Sequence, residues 1–142
     1  MPILSSPSLN QHLSSSYLIA AFPGWRIRGR GNEPYAGIAR EWVHVGDDED
    51  YLALTAYDVP SDQKGEPRDL KSTAPGLAHL GFVVTSIDRL VERLAKKGYE
   101  PSVWGADHPA RRRVYYIEGD GLEFEFVEYL TKDVKERNRY DA

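Results

Sequence analysis

The chain has 142 residues, of which 41% are hydrophobic and 28% charged, and its formal net charge is −4. This composition is typical of a globular protein, and the net negative charge argues against nucleic acid as a principal partner. The absence of cysteine excludes disulfides, thiolate catalysis and cysteine-type zinc sites. No apolar run is long enough to span a membrane, and the first residues lack the regions of a signal peptide. We therefore expect a cytoplasmic protein with no membrane partner.

The first part of the chain, residues 1–57, predicts one small module. Only residues 1–7 are available for an opening strand, and two prolines limit its pairing. A helix diluted by serines is predicted over residues 8–21 and ends at Pro23-Gly24. Strands are predicted over residues 25–29, 38–45 and 51–57. Residues 58–75 are rich in Pro, Gly, Asp, Ser and Lys, which is typical of an exposed linker.

The second module is predicted over residues 76–130, and residues 131–142 follow as a short solvated helix or tail. Its clearest element is a helix over residues 86–97, where apolar side chains recur at helical spacing. Thr85 and Asp88 approximate a capping box at its start, and Gly98 ends it. Strands are predicted over residues 78–84, 101–104, 114–117 and 122–129. The order is β-α-β-β-β.

Alternation within the strands of the second module places two polar side chains on the same side of the sheet. Phe124 and Phe126 share one face of the last strand, so Glu125 lies on the opposite face. In the opening strand, Leu80 faces the helix and His79 faces away from it. We expect His79 and Glu125 to look into the same space, where a carboxylate needs a partner.

Further candidate binding residues lie between the helix and the last strand. The loop over residues 104–109 contains an aromatic side chain and two ionisable groups, which suits a binding loop or a plain connector. Tyr115 and Tyr116 point to opposite faces, and periodicity leaves open which of them lines the site. The ligand-contact residues we expect are Tyr115, Tyr116, Trp104, His108 and Arg113.

Arginines cluster at two places. Arg26, Arg28 and Arg30 alternate and are predicted to project from one face of a strand, and residues 111–113 are three arginines before another strand. Charge that keeps an edge strand soluble explains both clusters. The alternative is a subsite for an anionic small molecule.

The two modules repeat one pattern. Residues 42–54 lie over residues 114–126 at a constant offset of 72, and Phe22-Pro23-Gly24-Trp25 corresponds to Gly98-Tyr99. At this offset, Ala53 stands where Glu125 stands. The first copy therefore keeps the frame of the second and lacks its carboxylate.

Two βαβββ modules with a histidine on the opening strand and a glutamate on the closing strand resemble the vicinal oxygen chelate superfamily. This group includes glyoxalase I, extradiol dioxygenases and bleomycin-resistance proteins. The motifs that carry the resemblance cover residues 76–84, 113–116 and 120–129. The resemblance implies an α+β fold over residues 1–142. In it, two βαβββ modules, the first shortened at its N-terminus, form a cupped mixed β-sheet.

The resemblance also implies that His79 and Glu125 occupy the metal-ligand positions of the second module. Imidazole and carboxylate suit iron, manganese, nickel or zinc. In the first module the corresponding positions fall at Leu4 or Ser5 and at Ala53, none of which is a credible ligand. A third ligand would have to come from His44 or Tyr116, from the 104–109 loop, or from a partner subunit. We expect no cofactor or a weakly held divalent metal.

Three functions remain open. The first is a protein that binds a small, partly apolar, anionic or aromatic molecule in the cup without a complete metal site. The resemblance implies that such a protein is a homodimer. The second is a metal-dependent lyase, isomerase or dioxygenase in which His79 and Glu125 are catalytic. The third is a structural homodimer without chemistry.

Overall fold

The structure is a computed structural model that describes residues 7–60, 62, 69, 72–119 and 121–140. The chain divides into two compact units, Met1–Pro67 and Arg68–Ala142. The predicted opening strand of the first module lies outside the described residues, except for its last position, which begins a helix. None of the helices in the described ranges combines the length and the apolar character needed to cross a membrane.

The first unit is one helix and a three-stranded antiparallel sheet. The helix α1 is Pro7–Ala21, and the strands are β1 Arg26–Gly31, β2 Arg40–Gly46 and β3 Tyr51–Tyr57. The strands lie in the order β1-β2-β3. Since consecutive strands pair through short connections, this sheet forms from local contacts.

The helix α1 packs on β2 and β3 through the apolar residues that are spaced along its inner side. The buried side chains of this small core are Tyr17, Leu18 and Ala21 from the helix and Val43 and Val45 from β2. Because strand side chains alternate, the side chains between these valines lie on the other face of the sheet.

The second unit is a four-stranded mixed sheet with two helices. Its elements are β4 Leu80–Val83, α2 Ile87–Lys96, β5 Val103–Trp104, β6 Arg111–Ile117, β7 Glu123–Tyr129 and α3 Val134–Arg137. The strand order is β4-β7-β6-β5; β4 is parallel to β7, and the other pairs are antiparallel. With two sheets and few helices, the α+β class predicted from the sequence is confirmed.

Helix α2 begins one residue later than the predicted capping box implied. Its N-cap is Ser86, whose side chain accepts a hydrogen bond from the backbone N–H of Arg89, and not Thr85. Asp88 instead accepts from the Arg112 guanidinium at 3.0 Å. The helix packs on β6 and β7 with three fully buried side chains, Ile87, Leu90 and Leu94.

All four strands of the second unit begin at other residues than predicted, and two of the differences bear on the site. Strand β6 begins at Arg111, three residues before its predicted start at residue 114. The reason is that residues 111–113 pair with β7 up to Tyr129. Strand β4 begins at Leu80, so His79 lies just before the strand instead of within it.

The two long hairpins differ in the length of their turns. Residues 47–50 join β2 to β3, whereas residues 118–122 join β6 to β7. In the first hairpin His44 lies opposite Ala53, and in the second Tyr115 lies opposite Glu125. The offset between the copies is therefore 72 for the last strands and 71 for the strands before them.

The constant offset of 72 was wrong because it ignored the extra turn residue. At an offset of 71, Val43 and Val45 correspond to Val114 and Tyr116, and all four are buried. A shift of one residue would turn each strand over, which the buried face forbids.

The alternating arginines of β1 do not share one face. The register of β1 against β2 shifts at Arg28, which is the extra residue of a β-bulge. The Arg28 guanidinium lies 4.6 Å from the centre of the Tyr51 ring, whereas Arg30, beyond the bulge, pairs with the buried Val43. The bulge therefore separates Arg30 from Arg28.

Candidate functional site

The second sheet brings three elements together around Glu125. Strand β7 lies between β4 and β6, with Gly81 of β4 and Tyr115 of β6 directly opposite Glu125. His79 precedes Gly81 by two residues and therefore lies on the same side of the sheet. The expectation that His79 and Glu125 look into the same space is confirmed by the contact between their side chains.

The two side chains are in direct contact. Nε2 of His79 lies 2.7 Å from Oε2 of Glu125, and the side chains are 37% and 15% exposed. At this distance the imidazole N–H donates a hydrogen bond to the carboxylate, which leaves Nδ1 as the second polar atom of the ring. The carboxylate, which would be unfavourable if buried alone, is thus partnered.

Tyr115 is the third member of this cluster. Its ring meets the His79 ring edge-on with 5.6 Å between centres. Burial raises the pKa of Tyr115, and the Glu125 carboxylate raises it further through its charge and a hydrogen bond, while Arg113 opposes the rise. The phenol therefore stays protonated at neutral pH and donates to Glu125.

Arg113 lies two residues from Tyr115 on the same face of β6. Its Nε is buried and has no hydrogen-bond partner among the described residues. The loop at Gly105 lies over its side chain, since a Cβ on that glycine would be 2.9 Å from Nε. We call the side of the sheet that carries His79, Arg113, Tyr115 and Glu125 the Glu125 face.

Apolar side chains surround this polar cluster. Val103 pairs with Tyr115, and Ile117 pairs with Glu123 on the same face. Val103 and Ile117 are 54% and 51% exposed. A few converging polar groups within an apolar surface are typical of a small-molecule site.

The family model described as Glyoxalase/Bleomycin resistance protein/Dioxygenase superfamily matches residues 24–126. The chain belongs to this superfamily. The match includes both units and confirms the resemblance noted from the sequence motifs.

Solved structures of the superfamily share the fold. A glyoxalase family protein from Bacillus cereus has a TM-score of 0.69 and 20% identity, covering 84% of this chain and 87% of that one. A glyoxylase/bleomycin resistance protein/dioxygenase domain from Frankia sp. EAN1pec has a TM-score of 0.61 and 24% identity, covering 83% of this chain and 87% of that one. The fosfomycin resistance protein FosX from Listeria monocytogenes has a TM-score of 0.51 and 14% identity, covering 89% of this chain and 87% of that one. No curated protein matches the sequence.

Within the superfamily frame, the first unit carries no carboxylate at the position equivalent to Glu125. That position is Ala53, and the side chain opposite it is His44. The His44 ring stacks on Tyr51 at 4.4 Å between centres and lies 4.8 Å from Trp42. We call these four residues the His44 face. Leu4 and Ser5 lie outside the described residues.

Divalent metals are common in the superfamily, and His79 and Glu125 are the donors of this site that could hold one. Nε2 of His79 and Oε2 of Glu125 are close enough to share one ion. Among the described residues, however, no three His, Asp or Glu side chains form a group that could hold a metal. The usual catalytic site needs three protein ligands. The described donors therefore fall short of that set.

Tyr116, predicted as a contact residue and as a possible third ligand, lies on the other face. It is 1% exposed, and its ring packs edge-on against Phe126 at 5.9 Å. Because β6 alternates, the placement of Tyr115 beside Glu125 forces Tyr116 into the core. The sequence left this choice open, and the structure selects Tyr115.

Trp104 also differs from its predicted place. It pairs with Val114, whose side chain is buried, and thus lies on the face opposite to Tyr115. Its ring is 5.9 Å from the guanidinium of Arg112, which binds Asp88 of α2. Trp104 therefore does not join the Glu125 face.

His108, predicted as a ligand contact, has structural hydrogen bonds through both ring nitrogens. Its Nδ1 accepts from the backbone N–H of Ala110 at 3.0 Å, and Nε2 lies 2.9 Å from the carbonyl oxygen of Arg139. Nearby, Arg111 donates to the carbonyl oxygen of Arg137 at 2.7 Å. Both ring nitrogens of His108 are thus used to hold the C-terminal segment.

The sequence did not single out the Arg113 environment or the contact between Tyr115 and Glu125. The contact between Tyr115 and Glu125 could have been predicted from the alternation of apolar residues in β7. Phe124 and Phe126 mark the buried side of β7, and if the turn has five residues, the residue of β6 opposite Glu125 is Tyr115. The turn length, however, is not marked by any residue pattern.

Proposed function

We propose that this chain is a ligand-binding protein that holds a small, partly apolar molecule against the Glu125 face, without a complete metal site. The observation that carries the proposal is that His79 and Tyr115 both donate hydrogen bonds to Glu125, with apolar side chains exposed on the same face. Such a cluster gives a ligand fixed hydrogen-bonding groups, and the exposed valine and isoleucine side chains give it apolar contact.

The names of its relatives support a ligand-binding role. The superfamily description includes bleomycin resistance proteins, and the Listeria monocytogenes neighbour is a fosfomycin resistance protein. Bleomycin and fosfomycin are therefore suitable first probes, together with the compounds that co-purify with the protein.

The experiment is thermal melting of the chelator-treated protein with those probes, and separately with nickel, iron, manganese or zinc. We expect a probe or a co-purified compound to raise the melting temperature of the wild type and not of Glu125→Gln, and metals to leave it unchanged. Glu123→Gln, which changes a carboxylate two residues away on the same strand, is the control. A rise of several degrees with metal that disappears in His79→Ala would contradict the proposal.

The second candidate is a metal-dependent lyase, isomerase or dioxygenase. It is favoured by the proximity of the His79 and Glu125 donor atoms, which would have to move apart from 2.7 Å to about 3.3 Å to become two tetrahedral ligands of one ion. It requires stoichiometric metal after purification without chelators, and turnover of hemithioacetals or catechols. Absence of both would exclude this candidate.

We also propose that the protein is a homodimer. Val83 and Leu77, 66% and 56% exposed, add to the apolar surface near the Glu125 face. Apolar surface of this kind often marks a partner site. Light scattering during size-exclusion chromatography should give twice the mass of 16.1 kDa. A monomer mass at micromolar concentration would contradict dimerisation and leave the ligand site to its own test.

A further inference from the structure

We propose that Arg113 forms a subsite for the carboxylate of a small apolar acid, beside the Glu125 face. This inference rests on the proposed function and names the class of ligand. It starts from a cleft of about 630 Å³ at the edge of the second sheet. The cleft is lined by Trp104, Gly105, Ala106, Asp107, His108, Pro109, Arg111, Arg112 and Arg113.

The three arginines of the cleft differ in their partners. Arg111 donates to the Arg137 carbonyl and lies against the Tyr140 ring, and Arg112 binds the Asp88 carboxylate at 3.0 Å. Within the described ranges, no acidic side chain lies within 4.0 Å of the Arg113 guanidinium. Arg113 is thus a half-buried cation without an ion pair in the described part of the chain, and Asp107 is the acidic residue in the lining of the cleft.

The loop over Arg113 fixes the part of the guanidinium that a ligand can reach. Nε is covered and makes no hydrogen bond to any residue that the structure describes, while the side chain as a whole is half-buried. The lack of a Cβ at Gly105 lets the loop lie close over the arginine stem. The terminal nitrogens are therefore the accessible donors, and their fork matches a carboxylate.

The position of Arg113 relates this subsite to the polar cluster. Residues two apart on a strand are separated by about 7 Å, so Arg113 lies about that far from Tyr115 along β6. Val103, paired with Tyr115, provides an apolar surface at the same place. The arrangement fits a compact acid with its carboxylate at Arg113 and its apolar body toward Val103.

The test uses benzoate and its uncharged isostere benzamide at constant ionic strength. The ¹H–¹⁵N resonance of the Arg113 Nε–H, assigned by its loss in Arg113→Met, reports on the guanidinium directly. We expect a saturable shift with benzoate and at least tenfold weaker binding of benzamide. Arg113→Met should weaken benzoate binding at least tenfold. Gly105→Ala, which displaces the side chain and keeps its charge, should also weaken it.

Arg112→Met is the matched control, because it removes the same charge from the same cleft on the other face of β6. Equal losses in Arg112→Met and Arg113→Met, or no saturable shift in the wild type, would overturn the subsite. If benzoate and benzamide bind equally and Glu125→Gln weakens both, the proposed function stands and the subsite fails. If Arg113 governs benzoate binding and Glu125→Gln leaves it unchanged, the subsite stands and the role of Glu125 fails.

Discussion

The β2–β3 hairpin and the β6–β7 hairpin use their inner sides in the same way. Val45 in one and Tyr116 in the other point away from the exposed face, and both are buried. Their outer sides differ: His44 faces Ala53 in the first hairpin, and Tyr115 faces Glu125 in the second. Packing restricts the inner side of each hairpin, whereas the outer side is free to carry different polar groups.

The His44 face and the Glu125 face also satisfy their polar atoms differently. On the His44 face, rings stack on rings, and Arg28 lies over the Tyr51 ring. On the Glu125 face, the Glu125 carboxylate accepts hydrogen bonds from the His79 imidazole and the Tyr115 phenol. The second arrangement is directional and suits recognition of a ligand's polar group, while the first contributes aromatic surface.

Substitution of the two adjacent tyrosines is the strongest test of this comparison. Tyr116→Ala should lower the free energy of unfolding by about 3–5 kcal/mol because it empties a core position. Tyr115→Ala should lower it by about 1 kcal/mol, the usual effect at a partly exposed position. Urea unfolding followed by tyrosine fluorescence and circular dichroism measures both. Equal losses would mean that the register of β6 is wrong.

Alkaline pH gives a second test of the same two residues. Burial raises the pKa of Tyr116 from 10.0 to about 12, and the Glu100 carboxylate adds to the rise. Above pH 10 the unfolded chain releases this proton before the folded chain does, so high pH favours unfolding. The free energy of unfolding should fall by up to about 3 kcal/mol between pH 10 and pH 12.

Tyr116→Phe should remove most of that fall. Tyr115→Phe should remove less, although burial raises the pKa of Tyr115 in the same direction. Urea titrations at intervals across this pH range provide the measurement. A decline that persists in full in Tyr116→Phe would assign it to other groups.

The sequence predicted the parts of the site that depend on strict alternation within one strand. Phe124 and Phe126 identify the core side of β7, and Glu125 follows on the other side. The choice between Tyr115 and Tyr116 depends on whether the turn has four or five residues, and one residue reverses the answer. Trp104 lies in a strand of two residues, which is too short to show alternation.

Long-range contacts explain the remaining differences. His108 bonds to a carbonyl 31 residues later in the chain, and no local pattern indicates such a partner. The β-bulge at Arg28 is similarly hidden, because an extra residue in one strand is defined only by its register with the next.

Ala53→Glu would make the two hairpins more alike. The new carboxylate would lie opposite His44, and such a cross-strand pair contributes about 0.2–1 kcal/mol. Thr55→Glu, opposite Trp42, adds the same charge without an imidazole partner and serves as the control. Thermal melting near pH 6 should show Ala53→Glu as the more stable of the two variants. The reverse order would mean that stacking on Tyr51 holds the His44 ring away from that position.

The C-terminal segment is held by His108 and Arg111 through carbonyl oxygens of the backbone, at Arg139 and Arg137. Every amino acid supplies a carbonyl, so these two bonds do not depend on which side chains the segment carries. Two other contacts do depend on side chains of the segment, because Arg111 lies over the Tyr140 ring and Arg137 lies over the Tyr129 ring. Exposed residues of the segment outside these contacts, such as Lys132 and Lys135, can therefore be exchanged or labelled while the two backbone bonds stay in place.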